Sequence, residues 1–128
     1  MLLPPAREKA ELLEVVRITD PARHIRSADL TGDVTAIWNA AQAEQTLALI
    51  GELPESELHR CFFPGWGVRA HSSTDLLFKI AFCFRCHGAR LWGAAVSHGQ
   101  DGIHSFDPDS PAAVELLRRF RDSASGRE

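Results

Sequence analysis

The stretch Asp75-Leu76-Leu77-Phe78-Lys79-Ile80-Ala81-Phe82-Cys83-Phe84-Arg85 decides the fold. Leu76, Phe78, Ile80, Phe82 and Phe84 alternate with Leu77, Lys79, Ala81, Cys83 and Arg85. Period two is the mark of a strand, and one of its faces here is strongly apolar. Trp66 to His71, Ala89 to Val96 and Ile103 to Phe106 also read as strands. The connections His71 to Thr74, Cys86 to Gly88 and Ser97 to Gly102 are short, which favours antiparallel hairpins. Residues 66–106 are therefore expected to form a four-stranded antiparallel β-meander.

Beyond the meander, Ser110-Pro111 starts a helix, with Ser110 as N-cap and proline at the first helical position. Ala113, Val114, Leu116, Leu117 and Phe120 form its apolar side, and Arg118, Arg119 and Arg121 sit near its C-terminus, where cations suit the dipole. Leu76, Phe78, Ile80, Phe82 and Phe84 are expected to be buried beneath this helix. Residues 123–128 are expected to be a frayed tail.

Upstream, Ala6 to Val16 reads as a helix from its Ala, Arg, Glu, Lys and Leu content, handing over to a short strand at Val15 to Ile18. Thr19-Asp20-Pro21 is a stop. His24-Ile25-Arg26 reads as a short edge strand and Leu30 to Asp33 as a turn. Val34 to Ile50 reads as the longest helix, with Ile37, Ala41, Ala48 and the Leu47, Leu49, Ile50 group on its core side and Gly51 as C-cap. The expected architecture is α+β: a four-stranded antiparallel β-meander covered on one face by N-terminal and C-terminal helices, forming a single domain over 1–128.

Composition narrows function. The chain has 128 residues, 45% hydrophobic and 24% charged, the balance of one globular domain. Its formal net charge of -3 disfavours a general nucleic-acid binder, so no nucleic-acid partner is expected. The apolar run Leu76 to Phe84 is interrupted by Lys79 and is too short for a bilayer, so no membrane partner is expected. The opening residues carry no basic segment followed by an apolar one, which points to the cytoplasm. Arginine outnumbers lysine 12 to 2, a bias that suggests a GC-rich bacterial genome. In that compartment the three cysteines are expected to be reduced.

Cys83-Phe84-Arg85-Cys86-His87 matches the c-type haem pattern. Met1 is the only methionine, and the match lies at a strand end inside an alternating apolar pattern, both of which weigh against haem. Thioredoxin-like redox chemistry needs the pair at a helix N-terminus, whereas this one follows a strand. Zinc fits better: Cys61, Cys83 and Cys86 would converge at one end of the meander, with His87, His59 or His71 as a fourth ligand. The competing reading, and the favoured one, is that the cysteines are packing residues and that the protein carries no cofactor. No serine or histidine motif of known catalytic spacing occurs. A small enzyme would have to draw on His71, His98, His104 and Asp101.

The block Cys61-Phe62-Phe63-Pro64-Gly65-Trp66-Gly67-Val68-Arg69, followed by the strand ending Cys83-Phe84-Arg85-Cys86, resembles a loose group of small uncharacterised bacterial proteins. Their pattern is a cysteine, an aromatic, a Pro(-Gly) turn and an arginine-bearing strand, then a strand ending C-F-x-C. The likeness runs over residues 12–121 and implies a fold and a lineage rather than an activity. His87 departs from the pattern, which weakens it as a ligand. The function expected is a non-enzymatic bacterial binding or inhibitor protein whose partner is another protein. A toxin-neutralising immunity protein is its concrete form. A small zinc-binding structural module and a histidine-based enzyme are the alternatives.

Overall fold

In a computed structural model, which describes residues 1–22, 29–57 and 61–125, the decisive stretch is strand β4, Leu76–Cys83. It lies inside a six-stranded antiparallel sheet ordered β2-β1-β3-β4-β5-β6. The other strands are β1 (Leu12–Ile18), β2 (Gly32–Trp38), β3 (Trp66–His71), β5 (Gly88–Trp92) and β6 (Gly102–Ser105). Two α-helices, α1 (Ala40–Gly51) and α2 (Pro111–Ser125), complete an α+β fold. The β3 to β6 meander forms as expected, but β5 stops at Trp92 rather than Val96. Gly93 there takes a φ of +142, and an added Cβ would lie 2.7 Å from Phe78 Cα. The sheet exceeds the expected four strands because the short strand expected at Val15 to Ile18 joins it, extended back to Leu12 as β1, and because 34–38, read as helical, belong to β2.

The helix expected over Ala6 to Val16 does not form. A short 3-10 helix, Pro5–Lys9, is followed directly by β1. Helix preference among ordinary residues differs by less than about 1 kcal/mol each, and pairing β1 with β2 and β3 on both edges overrides it. The helix expected over Val34 to Ile50 divides at Asn39. The side chain of Asn39 accepts from the Gln42 N–H at 3.0 Å, and the Gln42 side chain accepts from the Asn39 N–H at 3.0 Å. This capping box starts α1 at Ala40 and leaves 32–38 extended. Ile37, expected in the core, is 62% exposed. Within α1 the buried residues are Ala43, Thr46, Leu47 and Ile50, a helical spacing.

Both helices lie on the same sheet face. Leu13, Val15, Val68, Phe78, Ile80, Phe82 and Leu91 meet Leu47 and Ile50 of α1 and Ala113, Leu116 and Phe120 of α2. Phe82 is fully buried, its ring centroid 5.5 Å from that of Phe120 and 6.3 Å from that of Phe106. The ends of the expected apolar series depart from it. Leu76, first in the strand, is exposed; Phe84, past its end, is half-buried against Phe82 and Phe106.

The expectation of a sheet covered on one face needs a second correction. Val16, Ile18, Leu30, Phe62, Ala81, Cys83, Cys86 and Trp92 form a smaller buried cluster on the opposite face. Gly67 admits it: Leu30 Cδ1 lies 2.8 Å from where a Cβ would stand. The tail is also more ordered than expected. Residues 123–125 belong to α2, and Ser123 Oγ lies 2.7 Å from Thr35 Oγ1 of β2. The His24-Ile25-Arg26 strand, His59 and residues 126–128 lie outside the described residues. No helix among the described residues is long and apolar enough to cross a membrane.

Candidate functional site

Strand β2 borders the sheet, and its geometry follows from a bulge. Val15 opposes Ala36 and Val16 opposes Val34, so Thr35 is the extra residue. Ala36 and Trp38 face the helices, opposite Val15 and Leu13 of the main core. Val34 and Ile37 both lie on the other face, opposite Val16 and Glu14, and are 46% and 62% exposed. Among the described residues the outer edge of β2 pairs with no strand.

Where β2 passes under α1 and the end of α2, a cavity of about 320 Å³ opens at the sheet edge, lined by Trp38, Gln45, Thr46, Arg119 and Ser123 among others. The Trp38 ring stacks on Phe120 at 6.4 Å and 14°, which holds it as one wall. Thr46 is 1% exposed, and its hydroxyl has no hydrogen-bond partner among the described residues. A buried hydroxyl without a partner is costly. Arg119 donates through Nε to Glu115 Oε2 at 2.8 Å. Arg118 also holds Glu115, and the two guanidiniums depress its carboxyl to about 2, the hydrogen bond from Arg118 being the larger cause.

The helix-free face carries a charged row. Glu14, Arg69, Lys79 and Trp92 stand opposite one another across β1, β3, β4 and β5. Glu14 Oε1 lies 2.7 Å from His71 Nε2 and 3.4 Å from Arg69 Nη1. The Arg90 guanidinium lies 4.3 Å over the Trp92 ring, and burial lowers its pKa, with Asp101 opposing.

The cysteines come together in part. Cys83 and Cys86 are buried in the smaller cluster, and Cys86 N–H donates to Cys83 Sγ at 3.2 Å. Cys61, exposed, brings its sulfur to 2.7 Å from that of Cys86. Cys86 thus adjoins both other cysteines, while among the described residues no three His, Cys, Asp or Glu side chains form a group that could hold a metal ion. Two of the suggested fourth ligands are engaged elsewhere. His87, at φ 58, has Nδ1 3.4 Å from Ser56 Oγ, and His71 lies on Glu14.

Two of the histidines weighed as catalytic, His71 and His104, stand apart. His71 stands opposite Leu76 at the start of β4, whereas His104 stands opposite Ala89, which faces Phe82 near its end. His104 donates through Nε2 to the Gln100 carbonyl at 2.6 Å. A cavity beside β6 is lined by His104 together with Gly99, Gln100 and Ile103, without the other three candidates.

Comparisons with protein-family models, with curated proteins and with solved structures find no match. The chemistry of this chain must therefore be read from its own residues. Sequence reasoning missed the β2 edge and the cavity beside it, because both vanish if 34–50 is one helix. Two signals were available: the β-prone run Val34-Thr35-Ala36-Ile37-Trp38, and Asn39 three residues before Gln42.

Proposed function

We propose that this chain is a non-enzymatic protein-binding module of the bacterial cytoplasm that takes up an extended segment of a partner along β2, with toxin neutralisation as its concrete form. One observation carries the reading: β2 is a seven-residue edge strand without lysine or proline that carries exposed Val34 and Ile37. Natural sheets blunt such edges by shortness, charge, proline or a bulge; β6 is short, and β2 carries a bulge at Thr35 yet leaves Val34 and Ile37 open. An incoming strand would hydrogen-bond to the free backbone of β2 and gain specificity from alternate side chains. Those on one face would cover Val34 and Ile37. Those on the other would reach the cavity, where the Thr46 hydroxyl and the Arg119 guanidinium suit a carboxylate or amide. Inhibition would then require only occupancy, since a strand captured here is removed from the partner's own site.

The test asks whether a toxin gene lies beside this one and, where it does, co-expresses the two. The unsubstituted chain should restore growth. Val34→Lys/Ile37→Lys, verified as folded by circular dichroism, should fail to do so. Absence of rescue by the unsubstituted chain overturns the immunity reading, and equal rescue by the double variant overturns the β2 edge.

A further inference from the structure

The sulfurs of Cys61 and Cys86 are 2.7 Å apart. That is inside non-bonded contact and outside the bonded distance of about 2.05 Å. The pair joins positions 25 residues apart in sequence, between the segment entering β3 and the β4–β5 turn. The two thiols differ in access: Cys61 is exposed, while Cys86 is 2% exposed. Cys83, the nearer cysteine in sequence, is occupied otherwise, since its sulfur accepts the Cys86 N–H and lies within the smaller core cluster.

We propose that Cys61 and Cys86 form a disulfide on exposure to hydrogen peroxide or a low-molecular-weight disulfide, with Cys83 remaining a thiol. With peroxide, the Cys61 sulfur displaces water to give a sulfenic acid. Cys86 then attacks that sulfur, expelling a second water and leaving the sulfur–sulfur bond. In sum two thiols are oxidised and one peroxide is reduced to two waters. With a small disulfide, Cys61 first forms the mixed disulfide, and attack by Cys86 releases the second small thiol. The exposed cysteine meets the oxidant and the buried one resolves it, which stops oxidation short of the sulfinic acid. The bond would pin Phe62, next to Cys61, into the cluster that already holds Cys86. This site is independent of the binding reading above.

The pH dependence has a definite sign. The Cys86 thiol hydrogen-bonded to Cys61 pushes the Cys61 pKa up, and burial adds to it. The attacking species is the thiolate, so linkage should accelerate as the solution becomes alkaline.

The experiment uses the full chain purified without reductant. It is exposed to hydrogen peroxide or oxidised glutathione, quenched with N-ethylmaleimide in denaturant, and mapped by mass spectrometry. One adduct on Cys83 and a peptide linked through Cys61 and Cys86 are expected, with three adducts after reduction. The reduced chain should melt at a lower temperature than the linked one. Cys83→Ala should retain the link. Three adducts after oxidant, a Cys83–Cys86 link, or a Cys61 sulfinic acid without linkage would each overturn the proposal. So would one zinc per purified chain, released only when the thiols are modified.

Discussion

Phe82 concentrates more of the core than any other single side chain on β4. Its ring meets those of Phe84, Phe106 and Phe120 within 6.3 Å, so it joins the sheet to α2 and to the segment leading into that helix. Truncating it leaves a cavity that backbone paired on both edges cannot collapse to fill. Phe82→Ala is expected to cost about 3–5 kcal/mol in urea unfolding. A loss near that of a surface substitution would mean that the helices do not rest on this face. His87 illustrates the opposite case, a residue whose backbone matters more than its chemistry. Its φ of 58 lies in the left-handed region that closes the β4–β5 turn, and its Nδ1 lies 3.4 Å from Ser56 Oγ.

The helices owe their positions to their ends. The capping box at Asn39 satisfies N–H groups that the first turn of α1 leaves open, and it also ends β2. Asn39→Ala is expected to cost about 1 kcal/mol, measured by thermal or chemical unfolding. Helix α2 adds charge: Glu115 accepts from Arg118 and Arg119, and Asp122 from Arg118 at 2.7 Å. Because the Glu115 carboxyl is held at about 2 in the folded chain, unfolding raises its pKa, and the folded state is favoured wherever that group is ionised. The contribution is complete above the ordinary carboxylate range, fades as pH falls below it, and is gone once pH passes below about 2. An acid titration of thermal stability should show this loss. It should be smaller in Glu115→Gln and in high salt, since the site is open to solvent.

At the scale of the molecule, the decisive feature is that β1 lies between β2 and β3, so β1 and β2 extend the meander while only α1 of the N-terminal half lies across it. The helix-side cover comes from α1 and α2, and the other face gains its own cluster around Ala81, Cys83 and Trp92. The free β2 edge exists only because of this insertion.

The meander and α2 were legible from the chain alone, because their determinants are local. Alternation over Leu76 to Phe84, short connections and a Ser-Pro start each act within a few residues. The approach of Cys61 to the turn after β4 was legible too. Pairing β3 with β4 antiparallel through the 72–75 turn carries position 61 back toward it, and Trp66 does stand opposite Phe82. Tertiary structure alone extended the Val15 to Ile18 strand back to Leu12 as β1 and made Gly32–Trp38 a strand, β2. Leu12-Leu13-Glu14 and Ala36-Ile37 have helix and strand preferences that differ by fractions of a kcal/mol, which a paired neighbour outweighs. For β1 that neighbour is β3, distant in sequence, so no local window contains it. The same holds for the site. Thr46 in the sequence is one more helical threonine, and that its hydroxyl has no partner among the described residues becomes visible only in the folded chain. Packing likewise buried Cys83 and Cys86 in one cluster and left Cys61 exposed beside Cys86.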